Sequence, residues 1–456
     1  MVRSLESVQA VIKAYDVRGL VGEQIDEDFV GDVGCAFAAL MRGEGATDIV
    51  VGHDMRDSSP SLAAAFADGA TAQGLNVTLI GLASTDELYF ASGRLDCPGA
   101  MFTASHNPAA YNGIKLCRAG AKPVGQESGL RRITEQVAAG VPDYDGSAGR
   151  VLERDVLDEY GQYLRDLVDL SRSRPLRVAV DAGNGMGGFT VPSVLGPVDV
   201  LDVRPLFFEL DGTFPNHEAN PLDPKNLVDL QKFVLEQGAD IGLAFDGDAD
   251  RCFVVDELGQ PVSPSAVTAL VAERELAKTP GATVIHNVIT SKAVPEIIAE
   301  SGGTAVRTRV GHSFIKARMA ETGAVFGGEH SAHYYFRDFW GADSGMLAAM
   351  HVLAALGEQD GTLSELMARY NRYAASGEIN STVADQPERT RAVVDAFADE
   401  IESTDDLDGV TVQLVSGAWF NLRASNTEPL LRLNVEAATS DEVRALTERI
   451  LAIVRA

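Results

Sequence analysis

The sequence has little cysteine and few positive charges, and it lacks an apolar run of the length that a membrane span requires. Its four cysteines form no C-x-x-C pair, which argues against a disulfide framework or a zinc site and favours buried thiols in a reducing compartment. No N-terminal signal pattern is evident either. We therefore expect a cytoplasmic protein with no membrane partner.

Acidic residues outnumber basic ones, with 66 Asp and Glu against 38 Lys and Arg and a formal net charge of −28. A field of that sign repels nucleic acid and anionic membranes, so neither is expected as a partner. An anionic small-molecule ligand would also be repelled unless cationic groups line its site. Arginines and lysines beside glycine-rich or hydroxyl-rich turns are therefore informative in this chain.

The 456 residues are too many for a single core, and their pattern divides into three similar α/β cycles and a different final segment. Residues 48–80 give the clearest cycle, since strand, loop, helix and strand at that spacing predict a parallel β-α-β unit. Near the C-terminus, a helix predicted over 387–402 precedes three closely spaced strands, which indicates an α+β domain. The predicted domains are 1–150, 151–257, 258–374 and 375–456.

The strongest site signal is DGDADR, residues 246–251, at the end of an apolar strand. In an extended loop the alternate positions put Asp246, Asp248 and Asp250 on one side of the backbone, which suits a hard divalent cation such as Mg²⁺. The same spacing occurs in EF-hand loops, but Arg251 stands where that loop needs glycine. An acidic turn exposed to solvent is the structural alternative.

A second polar segment, TASHNP at residues 103–108, follows the short apolar run 99–102. Polar side chains at the mouth of a strand are where α/β enzymes keep nucleophiles, so Ser105 is a candidate; an ordinary Asn-Pro turn is the alternative. Ser105 and His106 are adjacent and cannot face each other as nucleophile and base without a third element. With no G-x-S-x-G present, a serine hydrolase is not favoured.

GNGMGG at residues 183–188 has the G-x-G-x-x-G spacing of a dinucleotide site, which would make the protein a nicotinamide-dependent dehydrogenase. Against that hypothesis, Asp181 would face the pyrophosphate, and the following helix is short and contains Pro192. A tight structural turn is the favoured interpretation.

Two later segments carry groups suited to phosphate and to sugar. RASNTEP, residues 423–429, sets Arg423 among hydroxyl and amide side chains in a turn, which suits phosphate, and Arg432 could reinforce it. GGEHSAH, residues 327–333, combines a carboxylate, a hydroxyl and two imidazoles, which suits sugar hydroxyls. Each segment alone could equally be a turn that satisfies its own backbone.

Taken together, the ordered motifs YDVRG, TASHNP, YNGIK, DGDADR, VGHSF, GGEHSAH and RASNTEP resemble the α-D-phosphohexomutase family, in its phosphomannomutase/phosphoglucomutase branch. The likeness covers essentially the whole chain. It implies an α/β fold with three related α/β domains plus a C-terminal α+β domain around a central cleft. In chain order the four domains would carry the phosphoserine loop, the metal site, the sugar-recognition loop and the phosphate-binding loop.

The resemblance also implies roles for the matching residues, although it leaves the general base open among Lys115, His106 and His333. The residues implied in catalysis are Ser105, as the phosphoryl carrier, with His106, Lys115 and Arg251. The groups implied in holding Mg²⁺ are Asp246, Asp248 and Asp250 with a phosphate oxygen on Ser105. The residues implied in binding substrate are Tyr15, Arg18, His312, Glu329, Ser331, His333, Arg423, Ser425, Asn426 and Thr427.

The implied activity is the reversible interconversion of mannose 1- and 6-phosphates, and of glucose 1- and 6-phosphates, with Mg²⁺ and a hexose 1,6-bisphosphate primer. The partners are then sugar phosphates, and the chain acts as a monomer or a homodimer. Two departures bear on sugar preference: Ala332 replaces a more usual glycine, and Ile289 replaces a lysine of some members, for which Lys292 could substitute. Phosphoglucosamine mutase is the alternative within the family, although VGHSF carries His312 where an acidic residue is then expected.

Overall fold

The computed structural model describes residues 3–425 and 430–456. Its strands are β1 Val17–Leu20, β2 Asp48–His53, β3 Asn76–Leu82, β4 Gly99–Phe102, β5 Tyr111–Arg118, β6 Lys122–Pro123, β7 Val151–Glu153, β8 Leu176–Asp181, β9 Leu201–Leu206, β10 Ile241–Phe245, β11 Cys252–Asp256, β12 Pro261–Val262, β13 Thr283–Asn287, β14 Thr304–Thr308, β15 Phe326–Gly328, β16 Tyr334–Phe336, β17 Ala342–Asp343, β18 Ala374–Ala375, β19 Ile379–Thr382, β20 Ile401–Asp405, β21 Val410–Leu414, β22 Trp419–Ala424 and β23 Leu430–Ala437.

The α-helices of the same residues are α1 Leu5–Val11, α2 Glu27–Gly43, α3 Ser59–Ala72, α4 Thr85–Leu95, α5 Arg131–Ala139, α6 Leu157–Leu167, α7 Gly187–Val194, α8 Val228–Gln237, α9 Pro264–Lys278, α10 Ala293–Glu300, α11 His312–Thr322, α12 Gly345–Gly357, α13 Leu363–Ala368, α14 Gln386–Ala396 and α15 Ser440–Val454. A π-helical turn at Gln126–Leu130 and 3₁₀ turns at Pro224–Leu227 and Arg337–Phe339 are also present. Among the described residues, every helix is too short or too polar to pass through a lipid bilayer.

The chain forms two compact units, and it passes from one to the other more than once. Unit one comprises Met1–Val262 and Ser331–Ser364. Unit two comprises Ser263–His330 and Glu365–Ala456. Each unit therefore brings together segments that are distant in the sequence.

The first sheet of unit one has the strand order β1-β5-β4-β2-β3-β7, with β6 beside β5. Strands β4, β2, β3 and β7 run parallel, while β5 and β1 are antiparallel to their neighbours. Helices α2 and α3 pack closely because a glycine lets their backbones meet: a Cβ at Gly69 would lie 2.2 Å from the carbonyl oxygen of Gly31. The order β2-α3-β3 confirms the β-α-β unit predicted for residues 48–80.

The second sheet of unit one has the order β12-β11-β10-β8-β9. Strands β9, β8 and β10 are parallel, and the antiparallel connection from β10 to β11 carries the DGDADR segment. Every residue of β10 and β11 is buried, as expected for strands covered on both faces. The pair β16-β17 and helix α12, which Ser344 caps, join this unit from the later part of the chain.

Unit two contains the parallel strands β14, β13 and β15 and, separately, an antiparallel sheet of order β18-β23-β22-β21-β20 with β19 also on β23. Helices α14 and α15 bury Val393 and Ile450 in the core of this sheet. Thr439 and Glu442 form a capping box at the start of α15. Parallel α/β layers followed by an antiparallel sheet with helices confirm the predicted fold class.

The helix predicted over 387–402 is wrong in length. Helix α14 ends at Ala396, and the next segment forms β20 and pairs with β21. Phe397 turns into the core and is 1% exposed, which ends the helix. The β-branched Ile401 and Thr404 then favour a strand.

Candidate active site

Ser105 lies in the loop that leaves the carboxyl end of β4, and it is 5% exposed. Its backbone has a φ of 51°, in the left-handed region that side chains other than glycine seldom adopt. Its N–H donates to Oγ1 of Thr103 at 2.8 Å, which helps to hold this strained conformation. Strain of this kind is found at functional sites when the surroundings enforce it.

The surroundings that enforce it centre on Arg56, which the sequence analysis did not identify. This buried guanidinium donates to four carbonyl oxygens of the loop at 2.6 to 3.0 Å. Those carbonyls belong to Ser105, Asn107, Pro108 and Tyr111. Asp54 accepts from Nε of Arg56 at 3.2 Å and balances its charge. The only signal in the sequence was the polar loop after β2.

The three aspartates of DGDADR converge beside Ser105. Asp246 and Asp248 are 0% exposed and Asp250 is 1% exposed, so a solvated acidic turn is the wrong interpretation. Their carboxylate oxygens lie within 4.8 Å of one another. Oγ of Ser105 donates to Oδ2 of Asp246 at 2.9 Å.

The cluster fits a hard divalent cation. Oδ1 of Asp248 and Oδ1 of Asp250 are buried and have no hydrogen-bond partner among the described residues. Buried carboxylate oxygens without partners are costly, and oxygen ligands are those that Mg²⁺ prefers. The cluster can therefore hold a metal ion.

Two cations partly neutralise these carboxylates. Nζ of Lys115 donates to Asp248 at 2.6 Å and to Asp250 at 2.5 Å, and Arg251 bonds Asp246 at 2.9 Å. Burial would raise the pKa of Asp248, but the Lys115 ammonium outweighs it and holds that pKa below its usual range. Burial raises the pKa of Asp246 to about 7, against the opposing effect of Arg251. Burial also opposes the charge of Lys115, yet the two aspartates keep its pKa raised.

His106 is a neutral acceptor in this cluster. Its Nδ1 accepts from Nη2 of Arg251 at 2.7 Å and lies 3.3 Å from Oγ of Ser105. Burial, Arg251 and Arg18 together lower its pKa to about 3. Arg18 reaches the same loop and donates to Oδ1 of Asn107 at 2.6 Å. Tyr15, three residues earlier, is 36% exposed.

The segment 331–333 brings His333 close to Asp250 of the aspartate cluster and to Asp343. Its Nδ1 lies 3.1 Å from Oδ2 of Asp343 and 3.9 Å from Oδ1 of Asp250. Burial would lower the pKa of His333, but Asp250 and Asp343 raise it. Ala332 is fully buried with a φ of 65°, so this chain keeps a glycine-like backbone at the position where it carries alanine. Ser331 opens the segment and is half-buried.

The first turn of α4 supports the metal cluster, and the sequence analysis also missed it. Thr85 bonds Asp248 twice, from its N–H to the carbonyl oxygen at 3.0 Å and from Oγ1 to Oδ2 at 2.6 Å. The next residue, Asp86, is buried and accepts from Tyr160 at 2.7 Å and Ser344 at 2.6 Å. Groups that orient ligands in this way tune metal affinity.

GNGMGG is a structural turn that packs against the same loop. The N–H of Met186 donates to the carbonyl oxygen of Gly247 at 2.9 Å. A Cβ at Gly185 would lie 2.7 Å from that oxygen, so the glycine permits the approach. Asp181 is bound to Nε2 of His217 at 2.9 Å. The turn thus supports the DGDADR loop.

In unit two, Glu329 is 2% exposed and organises the loop before α11. Its Oε1 accepts from the N–H of Gly311 at 3.0 Å and from Nδ2 of Asn287 at 3.2 Å, which places it beside the turn that opens into His312. The contacts that Lys292 makes are with other residues of unit two. Its Nζ donates to the carbonyl oxygen of Gly417 and lies over the ring of Tyr373.

Arg423 lies on β22, where Nη2 donates to Oε2 of Glu378 at 3.1 Å. Arg432 is directly opposite it on β23. Ser425 is half-buried, and its N–H donates to the carbonyl oxygen of Leu430 at 2.8 Å. Asn426 and Thr427 lie outside the described residues.

Comparison with known proteins identifies the family of this chain. Models of the phosphoglucomutase/phosphomannomutase α/β/α domains I, II and III match residues 9–141, 158–259 and 263–373, and the model of its C-terminal domain matches 378–453. The chain therefore belongs to the phosphoglucomutase/phosphomannomutase family, a family of α-D-phosphohexomutases.

Its relatives place it more narrowly in the phosphomannomutase branch, which consists of isomerases. It is 40% identical to a phosphomannomutase of Escherichia coli K12 over 437 residues, 93% of this chain and 94% of that protein. It is also 40% identical to the phosphohexose mutases of Xanthomonas campestris, with the same coverage. A crystal structure of a phosphoglucomutase/phosphomannomutase family protein from Burkholderia thailandensis superposes with a TM-score of 0.88 at 31% identity, covering 100% of this chain and 98% of that one.

Proposed function

We propose that the protein interconverts the 1- and 6-phosphates of mannose, and of glucose, through a phosphoserine at Ser105 and a hexose 1,6-bisphosphate intermediate. One observation carries the proposal: Oγ of Ser105 is buried in contact with Asp246, inside a cluster of three aspartates, Arg251 and Lys115. A serine in such surroundings suits phosphoryl transfer, which depends on positioning and charge stabilisation.

Asp246, Asp248 and Asp250, with one oxygen on Ser105, would hold Mg²⁺. When bound, the ion supplies positive charge where negative charge collects on the transferred phosphoryl group. Arg251 supplies a fixed guanidinium for the same purpose, since Asp246 orients it. The strained loop keeps Oγ of Ser105 in one place, which favours a direct approach to the phosphorus atom.

We propose His333 as the group that accepts the proton of the sugar hydroxyl. Nδ1 of His333 is bound to Asp343, so the imidazole is oriented and its Nε2 can act as the acceptor. Lys115 is a protonated donor to two carboxylates, and Nδ1 of His106 already accepts from Arg251. Both are therefore better suited to binding phosphate or to orienting neighbouring groups.

We propose that unit two recognises the rest of the sugar phosphate. Arg423, with Ser425, Asn426 and Thr427, would bind the phosphate that is not being transferred. Glu329 and His312 would bind sugar hydroxyls, together with Ser331. In unit one, Tyr15 and Arg18 would contact the substrate. We also propose that the chain has four domains, at residues 1–150, 151–257, 258–374 and 375–456. We propose that the protein acts in the cytoplasm as a monomer or a homodimer.

Intact-protein mass spectrometry tests the mechanism. After treatment with glucose 1,6-bisphosphate and Mg²⁺, the protein should gain one phosphoryl group that maps to Ser105, and Ser105→Ala should gain none. A group that maps elsewhere, or no group at all, contradicts the mechanism. Parallel assays with mannose 1-phosphate, glucose 1-phosphate and glucosamine 1-phosphate then establish the sugar, and turnover of the glucosamine phosphate alone would favour the alternative family branch.

A further inference from the structure

Two arginines of the antiparallel sheet lie side by side, and one carboxylate bridges them. Arg423 on β22 is paired directly with Arg432 on β23. Oε2 of Glu378 accepts from Nη2 of Arg423 at 3.1 Å, and its Oε1 lies 3.6 Å from Nη1 of Arg432. Like charges directly opposite each other on neighbouring strands are destabilising, so the Glu378 carboxylate offsets their repulsion.

The backbone fixes Glu378 in this position. Ser376 is bonded to Val435 twice, from its N–H to the carbonyl oxygen and from the N–H of Val435 to its Oγ, each at 2.9 Å. Gly377 then turns the chain with a φ of 67°, a conformation that favours glycine. Ile379, immediately after Glu378, is in register with Leu433 on β23. The backbone of Glu378 is therefore anchored to β23 on both sides.

Glu378 leaves the arginine pair incompletely satisfied. Nε of Arg423 and Nε of Arg432 are buried and have no hydrogen-bond partner among the described residues. Burial lowers the pKa of Arg423, although Glu378 and Asp408 oppose that effect. A carboxylate has two oxygens, whereas a phosphate monoester offers three terminal oxygens and a second negative charge. The pair is thus suited to a stronger anion than the one it holds.

We propose that Glu378 is a built-in counter-anion, which competes with the substrate's phosphate for Arg423 and Arg432 and so keeps that phosphate exchangeable. This inference rests on the proposed function of Arg423. A bisphosphate intermediate must present each of its phosphates to Ser105 in turn, so the arginine pair has to release one phosphate in every cycle. Glu378 makes release easier because it satisfies the arginines again when the phosphate leaves.

Glu378→Gln tests this directly in a Ser105→Ala background, where phosphoryl transfer is blocked. Calorimetric titration with mannose 1-phosphate should show binding about tenfold tighter than in Ser105→Ala alone, because one negative charge has been removed beside the phosphate. In the protein with Ser105 intact, kcat and KM should both fall several-fold. A merely structural role for Glu378 would not tighten binding.

The matched control is Glu300→Gln, which removes a carboxylate partner from Arg372 elsewhere in unit two and should leave affinity unchanged. Glu378→Asp keeps the negative charge but moves it away from the arginines, so its affinity should lie between those of Ser105→Ala alone and Ser105→Ala with Glu378→Gln. This variant also provides the test if Glu378→Gln fails to fold. Unchanged or weaker binding in folded Glu378→Gln overturns the inference. If Arg423→Ala also binds with unchanged affinity, the proposed role of the arginines is wrong instead.

Discussion

The serine cluster of unit one and the arginine pair of unit two both hold opposite charges together, but they differ in access to solvent. In the serine cluster the side chains of Asp246 and Asp248 are 0% exposed, that of Arg251 is 4% and that of Lys115 is 18% exposed. In the arginine pair the side chain of Arg423 is 13% exposed, and those of Arg432 and Glu378 are 29% and 30% exposed. Charges act most strongly on a reaction where water is excluded. A group that has to bind and release its ligand repeatedly benefits from partial exposure. Greater burial thus distinguishes the proposed phosphoryl-transfer site from the proposed phosphate-recognition site.

The largest effect should follow from changing the nucleophile. Ser105→Ala should lower mutase activity by at least about 10⁴-fold, because it removes the hydroxyl proposed to carry the phosphoryl group. A coupled assay with mannose 1-phosphate measures this, and Ser128→Ala in the π-helical turn is the control that should retain activity. If Ser105→Ala keeps activity within tenfold of the parent, another residue must carry the phosphoryl group.

Changing the more exposed site should affect binding and spare the chemistry. Arg423→Ala should raise KM for mannose 1-phosphate about 100-fold, since charge-assisted hydrogen bonds to phosphate are lost. Phosphorylation of Ser105 by a large excess of bisphosphate should remain detectable by mass spectrometry. An unchanged KM would remove Arg423 from the substrate site, and loss of phosphorylation would show that the two functions are not separate.

Support of the metal cluster by α4 should be measurable without turnover. Thr85→Val removes the hydroxyl bonded to Asp248, and we expect affinity for Mg²⁺ to fall about 30-fold. Isothermal titration with Mg²⁺ checks this, with Thr85→Ser expected to restore binding. Thr71→Val, on α3, is the matched control. Equal affinity in Thr85→Val and the parent would limit Thr85 to a structural role.

Unit two also contains a buried histidine, His286, and its burial can be tested by the pH dependence of stability. His286 is 6% exposed, and burial lowers its pKa to about 4. Below pH 6.5 the unfolded chain binds a proton that the folded protein excludes, so stability falls as pH falls from 6.5 toward 4. When the pH is lowered from 7 to 5, the free energy of unfolding of the parent, measured by denaturant titration, should fall by about 2 kcal/mol more than that of His286→Gln. Equal losses would mean that His286 is protonated in the fold.

The smallest effect concerns backbone strain at Ala332. Because alanine is disfavoured at a φ of 65°, Ala332→Gly should stabilise the protein by roughly 0.5 kcal/mol, the strain relieved being partly offset by the added freedom of the unfolded chain. Ala348→Gly, within α12, should instead destabilise by about 1 kcal/mol. Thermal unfolding of both variants decides the matter, and destabilisation by Ala332→Gly would show that its buried methyl group outweighs the strain.

The sequence allowed the fold class and most of the serine cluster to be predicted, because those features depend on local pattern. Strand ends, glycine turns and alternating aspartates are visible in a linear sequence, and Ser105, Asp246 and Arg251 are brought together as expected. Arg56 and Thr85 were missed because their roles depend on contacts with residues about 50 and 160 positions away. Nothing in their immediate neighbours indicates those partners. The end of α14 was missed for a similar reason, since β20 forms only by pairing with β21.

Arg56 has a consequence for how this protein can vary. Apart from its ion pair with Asp54, its guanidinium donates to main-chain carbonyls of residues 105–111, so it holds the path of the backbone there and not the identity of the side chains. Loss of this one arginine would therefore release four main-chain bonds at once, and the backbone around Ser105 would lose that support even with every residue of the loop unchanged.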